Sequence, residues 1–530
     1  MAENKAARIL TRLFNALFCI IFSLLFLEIV FRRYGAESGK NLFWADYRQH
    51  LGILLVCLLI TTAALLIFRF AIAKPKAKRL RFHRETEKKE NTKRTLLVIF
   101  IGSGIILLLQ GIAAYLLWHN PITDAFALHQ YASYYAQNGN LDIIQSVYQN
   151  GNYYLIQYPN NFAPMLLMSA VYRLWYLMTG SISRIPIVGL NVLSINAAIL
   201  MTALLARKTY GGRQACFVLG VSALFVPFYT YTSYVYTDTL SVPYAVGTVY
   251  VLSCAMDQRK RVPRYLMYAL SGMLGFIGFR MKGNVIVVTV AVLIFLLLKL
   301  PFKRFLCAAL AFVMGFVALG AVYSAGIKAG HFMTEEQSYE REFPATHWVM
   351  MGLHGHGGFR MEDIEFTKSI PGKNEKRAAN LEVIKEDLRE MGVDGLLSHL
   401  TTKAVWTWGD GTYYVTNHID DPINRNFLHE YVLKDGRHFY RLYAYCCGFQ
   451  YFLILMMALS ALKGFIRPRV DHTVTVRLCV FGVFLFLLMW ETRARYLFNF
   501  TPFLVFLSAD GADSGVRIIR KVRQFMKHQE

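Results

Sequence analysis

Apolar runs of about 20 residues recur along the chain, near residues 11–31, 51–73, 95–118, 187–206, 214–231, 239–256, 265–280, 284–300, 305–325, 443–462, 474–490 and 496–510. Most have roughly the length that a helix needs to cross the hydrocarbon core of a bilayer. A membrane barrel would show short alternating segments instead. The pattern therefore predicts an all-α polytopic membrane protein with about 12 transmembrane helices. A further run, "PNNFAPMLLMSAVYRLWYLMTG" (159–180), starts polar, carries Arg173 mid-run and is rich in Tyr. It predicts a juxtamembrane helix over 160–179, lying in the outer interface. Residues 326–442 are polar and mixed in charge, with Leu381, Ile384, Leu388 and Met391 at helical spacing. They predict a small external helical cap over the bundle, not an independent domain.

Charge then orients the bundle. The stretch 73–94 holds ten Lys/Arg against three Glu, and "DQRKRVPR" (257–264), "KLPFKR" (299–304), "KGFIRPRV" (463–470) and the tail are also basic. Basic short loops stay cytoplasmic, so both termini are expected inside. No Lys or Arg occurs from Thr95 to Tyr172, which puts the loop after residue 118 outside. A formal charge of +23 is accounted for by these loops, and nucleic acid is not expected as a partner. With 55% hydrophobic residues and a mean hydropathy of +0.35, a soluble protein is excluded. The eight cysteines lie in or beside apolar runs without metal-like spacing and are expected as core residues. Lys5, Arg8 and Arg12 precede the first run with no small-residue cleavage site after it, which predicts a retained first helix.

Four regions follow. Residues 1–94 hold two N-terminal transmembrane helices and a basic cytoplasmic loop. Residues 95–325 form the transmembrane core, with a first external loop at 119–186. Residues 326–442 are the external cap, and 443–530 the C-terminal helices and basic tail.

Against the charge bias of the outer side, several ionisable residues gather at its boundary. Asp124 follows Trp118 by six residues; Asp238 sits in "YTSYVYTDTL"; Arg280 and Lys282 in "FRMKGN"; Glu491, Arg493 and Arg495 in "WETRARYLFNFTP". Each has an ordinary alternative: Asp124 or Asp238 can cap a helix, and arginines can snorkel to headgroups. Together they suit a substrate with a phosphate and a hydroxyl, the cations holding phosphate and a carboxylate taking a proton. Tyr131, Tyr134, Tyr135, Tyr153, Tyr154 and Tyr158 can stack on sugar rings or simply anchor the interface. "HWVMMGLHGHGGF" (347–359) offers His354 and His356 as candidates for a divalent metal, with hydrogen-bonding histidines in a Gly-rich loop as the plainer reading. In "KAVWTWGDGTYY" (403–414), Asp410 and Gly411 predict a turn, and Trp406 and Trp408 are candidates to border an acceptor path.

The order of these stretches resembles the membrane glycosyltransferases of the GT-C type, near the protein O-mannosyltransferase and aminoarabinose transferase branch. The carriers are Asp124 in "PITDAFALHQYASYYAQNG", then "YLIQYPNNFAPMLL", "YTDTL" around Asp238, "GFRMKGN" and "ETRARYLFNFTPF". They cover roughly residues 95–300 and 474–510. The resemblance implies a GT-C-like bundle with external juxtamembrane helices and a polyprenyl-phosphate sugar donor. The acceptor would be an envelope polymer, lipid or protein hydroxyl on the external face. It implies catalytic roles for Asp124 and Asp238, donor-phosphate binding by Arg280, Lys282, Arg493 and Arg495, and substrate contacts by Tyr131, Tyr158, Asn160 and Asn161. The chain departs from the mannosyltransferases, which carry paired acids at the first site; here Ala125 follows Asp124. "YPNN", where many relatives have paired prolines, resembles envelope-glycosylating members from Gram-positive bacteria, so a bacterial plasma membrane is the expected location. No cofactor other than a divalent metal is in view. Two alternatives use the same features: a lipid-linked sugar polymerase or ligase working from the 326–442 loop, and a flippase or transporter. Transporters place polar groups near the midplane and show internal repeats, whereas here the charges lie at the boundary and no repeat is visible.

Overall fold

The computed structural model describes residues 5–31, 47–72, 84–141 and 154–527. Most of the basic stretch 73–94, Tyr153 and the rest of 142–153 in the first loop lie outside the description of side chains. The described residues form helices α1 (Lys5–Phe31), α2 (Tyr47–Ile67), α3 (Arg84–Leu116), α4 (Thr123–Asn138), α5 (Phe162–Thr179), α6 (Ile185–Thr209), α7 (Gly212–Leu224) and α8 (Val242–Asp257). They continue with α9 (Arg261–Met281), α10 (Ile286–Lys299), α11 (Phe302–Ala329), α12 (Lys373–Gly409), α13 (Phe439–Ile466), α14 (His472–Met489) and α15 (Thr501–Met526), with short helical turns between. No strand occurs among them, only a lone bridge between His119 and Pro422.

Among the described residues, eight helices are long and apolar enough to cross a membrane, with the shorter apolar Gly283–Lys299 beside them. A multi-pass membrane protein follows. The helices at the remaining three predicted segments are short (α7) or more polar (α9 and α15). The α5 helix, expected at 160–179, starts at Phe162 and ends at Thr179 on Gly180, whose φ of 70° suits a residue without Cβ.

In α1, Phe18, Phe22, Leu25 and Ile29 recur at helical spacing and are buried, while Leu13, Leu17 and Leu24 on the other side are exposed. An apolar residue exposed on such a helix faces lipid. The buried stripe meets α12 and α14: Phe22 stacks edge-on to Trp408 of α12 at 5.4 Å and lies 5.5 Å from Phe484 of α14. Trp408 is thus a core residue at 1% exposure, which corrects its candidacy for an acceptor path. Helices α9 and α11 approach closely at two glycines. A Cβ on Gly272 would stand 1.9 Å from the Phe312 carbonyl oxygen, and one on Gly315 2.0 Å from that of Ala269. Small residues permit such backbone approach between membrane helices.

Buried charges pair. Arg477 of α14 donates to Asp510 of α15 at 2.9 Å and to Asn15 of α1 at 2.8 Å, and Lys463 holds Asp510 at 2.5 Å and Asp513 at 2.7 Å. This network fastens the first helix to the last three. None of the eight cysteines is in a disulfide; Cys57, Cys446, Cys447 and Cys479 are buried, while Cys307 is exposed and the others intermediate, so the core assignment holds for half of them.

Residues 326–442 pack on the helices around them. In this stretch α12 touches α1, α13 and α14, and turns sharply at Gly392, whose φ is 57°. The stripe Leu381–Leu388 stays half exposed. The loop 118–123 is tied to the segment 421–423: Asn120 N donates to Asp421 O at 2.9 Å and Ile423 N to Trp118 O at 3.1 Å.

Candidate active site

Asp124 stands in the first turn of α4, after Thr123 at φ 49°. Positive φ is costly for a β-branched residue, and such strain persists where the surroundings enforce it. The cap residue is Ile122, with no side-chain capping bond, so Asp124 does not serve as the cap. Its side chain is 42% exposed, and the positive end of the helix dipole lies beside it.

The partner of Asp124 is Arg495, with Nη2 to Oδ2 at 3.5 Å. Arg495 comes from the helical turn Ala494–Phe500 that follows α14. Its guanidinium lies over the rings of Tyr236 (5.3 Å) and Tyr496 (5.2 Å), and donates to the Tyr234 hydroxyl at 3.1 Å. Asp238, fully buried in the turn Thr237–Leu240, accepts from Lys282 through Oδ1, while its Oδ2 has no partner. Lys282 sits where α9 ends and lies 4.4 Å from the centre of the same Tyr496 ring. Burial lowers its ammonium pKa from the usual range, and Asp238 opposes that shift. Tyr496 is thereby the common floor of two ion pairs. Its hydroxyl donates to Glu491 at 2.6 Å, and burial raises the Glu491 carboxyl, against the pull of Arg493. Arg493 is 3.9 Å from Glu491 and is flanked by Phe359 and Tyr414.

The tyrosine wall follows from α4 and the turn before α5. Tyr131 stacks on Tyr154 at 6.3 Å, and Tyr154 meets Tyr158 edge-on at 5.2 Å. The Tyr154 hydroxyl accepts from Asn161 at 2.8 Å and lies 3.2 Å from that of Tyr236, which joins this wall to Arg495. Asn160 donates to Asn161 at 3.2 Å. Asp124, Asp238, Lys282 and Arg495 therefore converge with the tyrosines and Asn161, and Arg493 joins through Glu491. Arg280 does not join: its guanidinium lies over Tyr323 of α11 at 4.4 Å. The two candidate metal histidines also part. His354 is held by Asp363 (2.8 Å) and Asp387 (3.1 Å) through its two ring nitrogens, and His356 faces Trp406 at 6.4 Å. Among the described residues no three His, Cys, Asp or Glu side chains are set to hold a metal ion.

Two residues escaped the sequence reading. His418 is 4% exposed, stacked on Tyr234 at 4.7 Å, and neither ring nitrogen has a hydrogen-bond partner. Burial, helped by Arg495 and Arg493, holds its pKa well below the usual value, so the ring is neutral. Lys403 donates to the Gly352 carbonyl at 2.7 Å, and burial pulls its ammonium down to about 7. The "NHIDD" and "TTKAV" contexts carry no pattern that distinguishes either. The segment 348–357 is tied to the site through backbone bonds: Glu491 N donates to Trp348 O at 2.8 Å and Thr492 N to Gly357 O at 2.7 Å. Asp410 forms the expected turn, accepting from the Thr412 and Tyr414 amides at 2.9 Å each.

The family described as "Conserved hypothetical integral membrane protein" matches residues 8–514. No curated protein matches the chain. Among solved structures, the chain is similar to ArnT from Cupriavidus metallidurans bound to undecaprenyl phosphate, at 12% identity and a TM-score of 0.33, over 78% of this chain and 77% of that one.

Proposed function

For this chain, which belongs to the conserved hypothetical integral membrane protein family, we propose the function of a membrane glycosyltransferase. It moves a sugar from a polyprenyl-phosphate donor to an acceptor hydroxyl on the external face of the membrane. The carrying observation is the long contact between Asp124 and Arg495, 3.5 Å between a partly exposed carboxylate and a buried guanidinium. A donor phosphate can replace this contact. Asp238 already occupies Lys282, but Arg495 keeps donors to offer, and a donor phosphate that engages it leaves Asp124 facing the acceptor.

In the step that follows, Asp124 accepts the proton of the acceptor hydroxyl. The hydroxyl oxygen attacks the anomeric carbon, and the bond from that carbon to the phosphate oxygen breaks. The electron pair leaves with polyprenyl phosphate, whose charge Arg495 and Arg493 hold. A single carboxylate suffices for such an inverting displacement, in keeping with Ala125 beside Asp124. Tyr131, Tyr158, Asn160 and Asn161 line the sugar side. Asp238 keeps Lys282 in place under the phosphate.

The test is transfer by purified Asp124→Asn, with a panel of polyprenyl-phosphate sugars. Donor binding should persist and transfer should fall at least about a hundredfold, the scale of general-base catalysis. Normal transfer by this variant would remove Asp124 from the chemistry and the proposed mechanism with it.

A further inference from the structure

His418 takes no part in the steps above, yet its ring is built into the phosphate side of the site. The turn that presents it starts at Asp410, whose carboxylate accepts from the Thr412 and Tyr414 amides. Tyr413 and Tyr414 then take φ of 56° and 65°, and the Tyr413 carbonyl accepts from the Tyr231 hydroxyl at 2.5 Å. The His418 amide closes the turn on the Val415 carbonyl at 2.9 Å. The backbone is thus fixed, whereas neither ring nitrogen of this buried side chain has a hydrogen-bond partner. Buried polar atoms left in that state are costly and rare, and a ligand that supplies the missing bond relieves the cost.

The ring bridges the two arginines of the site. One face stacks on Tyr234 at 4.7 Å with the planes 15° apart, and the Tyr234 hydroxyl accepts from Arg495. Tyr414 meets the ring at 5.5 Å, and the Arg493 guanidinium lies over that same Tyr414 ring at 5.2 Å. The charges that face it are Arg495 and Arg493 from the turn after α14 and Lys282 from the end of α9. His119, from the loop before α4, faces it too, but burial lowers its pKa to about 4 and it is neutral. The carboxylates Asp124, Glu491 and Asp238 pair with the three cations. Burial, and after it the cations, keep the His418 ring neutral. An anion brought among those cations reverses the second cause and favours the protonated ring.

Turnover changes the charge that the site must hold. A sugar donor is a phosphodiester with a single negative charge. The polyprenyl phosphate that leaves is a monoester, largely a dianion at neutral pH because the second pKa of such a phosphate is about 6. Arg495 and Arg493 carry fixed charge and cannot follow that change, whereas a neutral imidazole can. We propose that His418 takes up a proton as the leaving phosphate becomes a dianion and donates the new N–H to a phosphate oxygen, so that the site distinguishes spent lipid from sugar donor. The inference rests on the donor-phosphate reading of Arg495 and Arg493. The step balances: the phosphate oxygen keeps the electron pair of the broken bond, Asp124 takes the acceptor proton and returns it to water, and the ring binds a proton from water.

Isothermal titration calorimetry of polyprenyl phosphate into the purified full-length protein, in buffers of different ionisation enthalpy, counts the protons bound with the lipid. At about pH 7.5 the parent should take up about one proton with polyprenyl phosphate and clearly less with its methyl diester, which has the charge of the donor. His418→Gln keeps an N–H to offer but cannot titrate, so it should bind both lipids without that uptake. The parent's affinity for the monoester should fall as pH rises from about 7 to about 9, by up to about tenfold per unit, and that of His418→Gln should fall less. Lys403, with a pKa of about 7, titrates in the same range but is present in both proteins, so the difference isolates the ring. Equal proton uptake by the parent and His418→Gln would overturn the role of His418 and leave the transferase reading standing. So would equal uptake by the parent with the two esters. Failure of the parent to bind either lipid would overturn both readings together.

Discussion

The Asp124 carboxylate and the Arg495 guanidinium stand 3.5 Å apart although 371 positions separate them in sequence. The Arg495 guanidinium lies over both the Tyr236 and the Tyr496 ring, a contact that delocalised charge suits. Lysine keeps the charge but neither the fork nor the stacking. Arg495→Lys should therefore raise the KM for the lipid-phosphate donor by about tenfold or more while kcat changes less. A loss confined to kcat, with KM unchanged, would take Arg495 off the donor phosphate.

Asp238 and Lys282 form a buried pair, and removing one member strands the other. Lys282→Met should cost about 3–5 kcal/mol of stability, the usual range for breaking a buried pair. Asp238→Asn/Lys282→Met should recover more than half of that loss. Thermal unfolding in detergent measures both. A double variant no more stable than the single one would mean that Lys282 is held by something other than Asp238.

His418 gives a prediction of opposite sign for stability and activity. Its two unpartnered ring nitrogens are a desolvation cost in the resting protein. His418→Phe keeps the stack on Tyr234 and removes that cost, so its melting temperature should equal or exceed that of the parent. Transfer should drop about tenfold, the worth of one hydrogen bond to substrate. Undiminished transfer would leave His418 as packing alone.

The ion pairs of His354 carry their own pH dependence. The hydrogen bond to Asp363 raises the pKa of His354 above its ordinary 6.5, with Asp387 adding to the effect and burial opposing it. A raised folded-state pKa contributes stability that is complete below about pH 6.5 and lost as pH rises through the folded value. The melting temperature gap between the parent and His354→Gln should be widest near pH 6 and shrink toward pH 8. A gap that widened with rising pH would contradict the ion pairs.

Sequence reading reached the helices because hydrophobic runs of bilayer length say little else. It also singled out Asp124, Asp238, Lys282 and Arg495, because a charge at a membrane boundary is costly and visible. It could not separate Arg280 from Lys282. Two positions apart on the chain, they diverge because α9 ends at Met281, and Arg280 turns to Tyr323. Trp408 looked like its neighbour Trp406 until α1 packed Phe22 against it. His418 owes its place to Tyr234, far off in sequence, and no local pattern announces a buried unpaired ring.

The spacing of the two acid–base pairs also sets a timetable for biosynthesis. Asp238 and Lys282 are 44 positions apart, whereas Asp124 and Arg495 are 371 apart. At about 5–20 residues per second, the ribosome delivers Lys282 roughly 2–9 s after Asp238, but Arg495 roughly 20–70 s after Asp124. The carboxylate that ends fully enclosed thus meets its counter-ion while the chain is still entering the bilayer. The one that waits for the last hairpin is the one water can reach in the meantime. A nascent or truncated chain ending before that hairpin would hold the first pair closed and leave Asp124 without its arginine.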